Sequence, residues 1–153
     1  MLLNLAGDLD DSFSNGEGQR YVIYSQGCLH HCDGCQNQHT WPLKSNLEIS
    51  IDDMIKIIKD KPLIDGVTFS GGDPLLQVEA FAELAERIKK ETDLNIWCYT
   101  GYLYETLLES DDINIKKLLD NIDVLVDGKF EKDNMEDALL YTGSKNQRVI
   151  KLK

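Results

Sequence analysis

The stretch Gly66-Val67-Thr68-Phe69-Ser70-Gly71-Gly72-Asp73-Pro74 opens as a buried strand and ends in residues that neither a strand nor a helix interior tolerates. Just downstream, Val78, Phe81, Leu84, Ala85 and Ile88 recur at helical spacing and predict a helix to about Lys90. Just upstream, Ile51, Met54, Ile55 and Ile58 do the same behind Ser50 and Asp53, an S-x-x-D capping box. A strand flanked by two helices is the repeating unit of a parallel sheet.

The same alternation continues outward. Tyr21–Tyr24, Asn95–Tyr99, Asp123–Val126 and Gln147–Ile150 read as further strands. Leu103–Leu108 and Ile115–Leu119 read as short helices. The first twenty residues, polar and closing on Asn15-Gly16-Glu17-Gly18-Gln19-Arg20, predict a turn or loop. The class is α/β. A closed eight-stranded barrel takes roughly 250 residues. This chain has 153, so the expectation is an open, incomplete (β/α) barrel of mostly parallel strands, in one domain over 1–153. Such sheets gather function at the carboxyl ends of their strands. The cysteine segment, Gly71-Gly72, Thr100-Gly101 and Asp127-Gly128 each follow a predicted strand and should meet on one rim.

Hydrophobic residues make up 42% and charged residues 28%, a globular mixture that excludes a disordered tail or a fibre. No apolar run approaches the roughly 20 residues of a membrane span. The N-terminus places Leu2, Leu3 and Leu5 before Asp8, Asp10 and Asp11, unlike a signal peptide. The expectation is a cytoplasmic protein with no membrane partner. A net charge of −11 repels phosphate backbones, so no nucleic-acid partner is expected either.

Of four cysteines, Cys28, Cys32 and Cys35 lie close together while Cys98 stands alone. Clustered thiols in a reducing compartment point to a metal or iron–sulfur site, not to disulfides. The C-x3-C-x2-C spacing lets three thiolates wrap one corner of a [4Fe–4S] cluster, leaving one iron open to a ligand. Gly27 and Gly34 give this loop backbone freedom. A structural zinc site is the competing reading, with His30, His31, His39 or Cys98 as fourth ligand. Zinc sites usually pair ligands from two separated segments, which counts against it. At Gly71-Gly72 a ligand can approach the backbone closely and meet free carbonyl and N–H groups, with Asp73 positioned to face an ammonium. On its own, the dipeptide also reads as a plain β–α turn.

The cysteine triplet and the glycine turn, in this order on successive strand ends, resemble the radical S-adenosylmethionine superfamily. Gly71-Gly72-Asp73-Pro74 is similar to its GGE-type methionine-binding turn, with Asp for Glu. Within the superfamily the chain resembles the activases of anaerobic ribonucleoside-triphosphate reductases. That likeness is carried by Asn15–Arg20, Gly27–Asn37, Thr40-Trp41, Ser70–Leu75, Ile96-Trp97, Tyr99–Tyr102, Asp123–Phe130 and Gly143–Arg148. Gln36 departs from the aromatic or His that family members often carry there, which bears on a stacking contact. Gly34 is shared with the reductase activases.

The resemblance implies a radical S-adenosylmethionine fold and an oxidoreductase with two cofactors, a [4Fe–4S] cluster on Cys28, Cys32 and Cys35 and S-adenosylmethionine. It assigns cofactor binding to Gly34, Cys35, Gln36, Gly71, Gly72 and Asp73. Reductive cleavage of the sulfonium would give a 5′-deoxyadenosyl radical that takes a hydrogen from a glycine of the reductase. The cofactors carry that chemistry, so no side chain is assigned a catalytic role. The partners implied are the reductase's large glycyl-radical subunit, a one-electron donor such as a flavodoxin or ferredoxin, and a second copy in a homodimer. Alternatives are an activase of another glycyl-radical enzyme, a small-molecule radical enzyme, or a non-catalytic zinc-binding interaction module. The short chain favours an activase, because a large protein substrate helps to close an open site.

Other residues have two readings each. His30 and His31 either tune the cluster through hydrogen bonds or are exposed loop residues. Thr100 and Asp127 contact a ligand or cation, or cap loops. Tyr99, Tyr102 and Tyr104 form a partner-facing rim or pack inside. Arg20 and Arg148 bind a carboxylate or pair on the surface. Cys98 reads as a buried structural thiol.

Overall fold

Seven strands form one sheet in the order β3-β1-β2-β4-β5-β6-β7 in the computed structural model, which describes residues 1–12, 16–27, 47–129, 142 and 146–153. The strands are β1 (Leu2–Ser12), β2 (Arg20–Ser25), β3 (Leu47–Ser50), β4 (Gly66–Gly71), β5 (Asn95–Tyr99), β6 (Val124–Asp127) and β7 (Arg148–Lys151). The central four, β2-β4-β5-β6, are parallel, with Ile23 beside Phe69 and Phe69 beside Cys98. The flanks are antiparallel: β1 on β2, β3 on β1, and β7 on β6. Among the described residues the sheet does not close on itself, as expected for a partial barrel.

The described residues also form four α-helices: α1 (Ile51–Lys59), α2 (Val78–Glu91), α3 (Tyr104–Leu108) and α4 (Ile113–Asn121). The Ser50 cap is made, with the Asp53 N–H donating to Ser50 Oγ at 3.1 Å. Helix α1 buries Ile51, Met54, Ile55 and Ile58, the stripe its spacing predicts. Helix α2 buries Phe81, Leu84, Ala85 and Ile88, and Phe81 meets Phe69 of β4 with ring centroids 4.9 Å apart. These side chains share one core with Tyr21, Ile23, Val67, Ile96 and Leu125. Because successive strand residues alternate faces, Trp97, Val124 and Val126 form a separate cluster on the other side of the sheet.

Two expectations need correction, and one strand was not foreseen. Within the first twenty residues Leu2–Ser12 forms the strand β1, and the expected turn is confined to the bend at Gly16–Gln19 among the described residues. Leu3 and Leu5 are buried in the main core, and strand pairing on both sides overrides the acidic, loop-like composition. Leu47–Ser50 is a strand that no pattern announced, its four residues exposed or half-buried. The last strand spans Arg148–Lys151 and runs antiparallel to β6, not in the parallel series.

Candidate cofactor site at the strand ends

The carboxyl ends of β2, β4, β5 and β6 are tied to one another by hydrogen bonds. Gly72 donates its N–H to the Ser25 carbonyl at 2.8 Å, and Asp73 donates its N–H to the Gly27 carbonyl, also at 2.8 Å. Both glycines that make this junction possible have left-handed backbones, with φ of 103° at Gly71 and 105° at Gly27. A Cβ on Gly71 would sit 2.6 Å from the Ser25 carbonyl oxygen, so parallel pairing at this end requires glycine. The N–H groups of Gly72 and Asp73 are therefore spent within the protein. The sequence left them available to a ligand, whereas in the structure both are taken, and the Asp73 carbonyl also accepts the Leu76 N–H at 3.1 Å.

The Asp73 carboxylate has no exposed surface. It accepts from the N–H of Leu75 at 2.9 Å and of Gly101 at 3.0 Å, and the Thr100 hydroxyl lies 3.0 Å from both its oxygens. Asp73 thus caps the 3-10 turn Pro74–Gln77 and at the same time grips the end of β5. Thr100 in turn donates its N–H to the Val126 carbonyl at 3.0 Å, which brings in β6.

Asp127, at the end of β6, is equally buried. It accepts the N–H of Tyr104 at 2.8 Å, ties down the start of α3, and pairs with Arg148. Arg148 also makes a two-point contact with Glu105, at 2.8 and 2.7 Å. This pairing holds the Glu105 carboxyl down to about 2, chiefly through the Arg148 hydrogen bonds, and raises Arg148 above its ordinary value. Thr100 and Asp127 thus take their loop-capping reading, and Arg148 takes its surface-pairing one. Tyr102 and Tyr104 pack against the main core, and Tyr99 packs beside Trp97.

Arg20 lies at the opposite end of the sheet and is fully buried. It donates to Thr68 Oγ1 at 2.7 Å and to the carbonyls of Glu17, Val67 and Asn95 at 2.8, 2.9 and 3.3 Å. Its guanidinium stands 5.6 Å from the Trp97 ring centroid. Burial lowers it to about 10. These partners make it a plug for the sheet's open face, neither a carboxylate receptor nor a surface pair. No local pattern marked this role, because the contacts span up to 75 residues.

Cys28, Cys32, Cys35, Gly34 and Gln36 lie outside the described residues, as do His30, His31 and His39. The fourth cysteine is described and reads as expected. Cys98 is a free, fully buried thiol on the helix-covered face of β5. Burial, and secondarily the negative charge of Asp73, push its thiol well above the ordinary value, the reverse of what makes a thiolate ligand. That removes Cys98 from the possible fourth ligands of a zinc site and leaves Cys28, Cys32 and Cys35 as the clustered thiols of the chain.

Among known protein families, the 4Fe-4S single cluster domain matches residues 14–150. The crystal structure of QueE from Escherichia coli superposes with a TM-score of 0.55 at 19% identity. The match covers 66% of this chain and about half, 53%, of QueE, and it supports the fold. The chain is thus a 4Fe-4S single cluster domain on a partial (β/α) barrel.

Curated relatives narrow the class. An anaerobic ribonucleoside-triphosphate reductase-activating protein of Vibrio cholerae is 42% identical over 144 residues, 88% of this chain and 89% of its own length. The protein of that description from Haemophilus influenzae is 37% identical over 146 residues, covering 91% and 92%. Its counterpart from Enterobacteria phage T4 is 36% identical over 142 residues, covering 90% and 86%. The chain belongs to the family of anaerobic ribonucleoside-triphosphate reductase-activating proteins.

Proposed function

We propose that the protein is a radical S-adenosylmethionine enzyme that activates an anaerobic ribonucleoside-triphosphate reductase by installing a glycyl radical in it. Relatives 36 to 42% identical over about nine-tenths of the chain support that assignment. The observation that carries the chemistry is the hydrogen bond from the Asp73 N–H to the Gly27 carbonyl. It sets the glycine turn against the residue that immediately precedes the cysteine triplet, where a cluster and its ligand have to meet.

In this reading Cys28, Cys32 and Cys35 hold a [4Fe–4S] cluster, and Gly34, Cys35, Gln36, Gly71 and Gly72 line the S-adenosylmethionine site; Asp73, whose buried carboxylate faces Thr100 and Gly101 and not an ammonium, supports that site from beneath. The bound cluster and S-adenosylmethionine supply the electron transfer and bond homolysis. The chain's own residues position them. Gly71 lets β2 and β4 stay paired up to the rim, the glycine turn receives the methionine end, and Asp73 acts from below as a clamp. The protein works as a single domain in the cytoplasm, as a homodimer, with a flavodoxin or ferredoxin as electron donor. No helix among the described residues is long and apolar enough to cross a membrane.

The test mixes anaerobically reconstituted protein with S-adenosylmethionine, a reductant and the reductase of the same organism, followed by electron paramagnetic resonance. A glycyl-radical signal that needs all four components is expected. Cofactor cleavage without that signal would assign a different substrate, and a colourless, zinc-loaded protein would overturn the radical reading.

A further inference from the structure

Gln77 ends the 3-10 turn after the glycines, and its side chain reaches back across the sheet. Its Oε1 accepts the Asn4 N–H at 2.8 Å, and its Nε2 donates to the Asn4 carbonyl at 2.7 Å, a two-point pairing with the main chain of β1. The same Nε2 lies 2.9 Å from Ser25 Oγ and 3.4 Å from the Gln26 carbonyl. An amide NH2 has two hydrogens for these three oxygens, so the longest contact is a shared one. The Gln26 N–H also donates to the Asn4 carbonyl at 3.0 Å, closing a ring of contacts around that residue.

Together with the turn, this accounts for every residue of the stem that leads into Cys28. Ser25 is held through its carbonyl by Gly72 and through its hydroxyl by Gln77. Gln26 is held by Asn4 and Gln77, and Gly27 by Asp73. A segment of six residues, 72–77, thereby grips the three residues from which the cysteine segment departs. An amide suits this task. It offers donor and acceptor at once without a charge, whereas a carboxylate there would face the Asn4 and Gln26 carbonyls.

We propose that Gln77 is a positioning residue for the radical chemistry. It sets the direction in which the chain leaves β2 toward Cys28 and locks that direction to the Gly71-Gly72 turn. Cluster and methionine end are then held in one frame. The inference rests on the radical S-adenosylmethionine reading above and adds a residue that touches neither cofactor.

The experiment compares the reconstituted wild type with Gln77→Met, Ser25→Ala and the double variant. Gln77→Met keeps the volume and loses every hydrogen bond. Ser25→Ala releases the shorter of the two contacts from Gln77 to the stem while leaving the pairing with Asn4 intact. Iron content, melting temperature, S-adenosylmethionine affinity and the change in the reduced cluster's electron paramagnetic resonance spectrum on adding S-adenosylmethionine are read for each. In Gln77→Met the iron content should hold, while affinity falls on the order of tenfold and the spectral response to the ligand weakens, as for other residues that orient metal ligands from outside. Ser25→Ala should lower affinity by roughly threefold, one neutral hydrogen bond, and the double variant should be no worse than Gln77→Met alone. Wild-type affinity and an unchanged spectral response in both single variants, with only a lower melting temperature in Gln77→Met, would reduce Gln77 to a staple for β1 and overturn the proposal. If Gln77→Met fails to fold, Ser25→Ala decides alone, since wild-type behaviour there rejects control of the stem. A wild type whose spectrum ignores S-adenosylmethionine would instead bring down the radical reading, and this inference with it.

Discussion

The main-chain N–H of Asp73 points at the carbonyl oxygen of Gly27 across 2.8 Å, and the side chain of Asp73 points the other way, to Thr100 and Gly101. One residue therefore joins three strand ends: β2 through its N–H, β4 by chain connection, and β5 through its carboxylate. The rim on which the cofactors are proposed to bind is a hydrogen-bonded unit, not a set of independent loops, and this governs how substitutions in it should behave.

Asp73→Ala should damage stability and cofactor binding together. It strands the N–H groups of Leu75 and Gly101 and the Thr100 hydroxyl in a buried site. At about 1–3 kcal/mol for each unsatisfied buried group, a loss of roughly 3 kcal/mol or more is expected in chemical denaturation. Thr100→Val removes the hydroxyl's bond to Asp73 and its acceptance of the Tyr102 N–H at 3.2 Å, at nearly constant volume, and should lose about 2 kcal/mol. Thr100→Ser should recover most of that. Equal stability of Asp73→Ala and wild type would mean the clamp is not formed in solution.

The cysteines should divide three to one. Alanine at Cys28, Cys32 or Cys35 should abolish the cluster and the formation of 5′-deoxyadenosine, whereas Cys98→Ala keeps both. In the native protein Cys98 should also resist alkylation at neutral pH, because it is buried and its thiol is held well above the ordinary value. Iron analysis and mass spectrometry after iodoacetamide treatment check the two statements. Loss of the cluster in Cys98→Ala with its retention in any of the other three would reverse the ligand assignment.

Glu105 supplies a pH test. Arg148 holds its carboxyl at about 2, below its ordinary 4.5. A carboxylate with a depressed native value stabilises the fold above its unfolded value, and that contribution is lost as pH falls through the native one. Melting temperature should therefore fall between pH 4.5 and 2, and the fall should be shallower in Glu105→Gln. The carboxylate is exposed, so added salt should shrink the difference. Parallel curves for the two proteins would remove the pairing from the account of acid stability.

What the sequence made legible follows from how far each interaction reaches. Ser50 capping Asp53, the helical stripes of α1 and α2, and the parallel strands around Phe69 are short-range patterns, and they appear where their spacing puts them. The strand β1 was hidden because its acid-rich residues favour a loop until pairing on both sides buries Leu3 and Leu5. The buried role of Arg20, and Gln77 altogether, were missed for the same reason on a longer scale: Gln77 finds its partner Asn4 73 residues away. At the rim, Gly71-Gly72-Asp73 stood out as residues that no regular element holds. That Asp73 turns inward to Thr100 instead of outward depended on the neighbouring strand end, which no local spacing encodes.

The two glycines of the turn should fail in different ways when given side chains. At Gly71 the backbone is left-handed, and a Cβ would collide with the main chain of Ser25 and Tyr24. Gly71→Ala should therefore strain the junction of β2 and β4, losing at least about 1–2 kcal/mol from the left-handed conformation alone, with a lower melting temperature even without cofactor. Gly72 contributes its N–H to Ser25, a bond that any residue except proline can make. Gly72→Val should then leave the melting temperature and the cluster spectrum near wild type while weakening S-adenosylmethionine binding, because the added side chain occupies the approach to the turn. Calorimetry and equilibrium binding on the two variants separate the roles. If Gly72→Val binds the cofactor as the wild type does, or unfolds as Gly71→Ala should, the turn is an ordinary connection between β4 and the helix after it, and the methionine end of the cofactor has to be sought elsewhere on the rim.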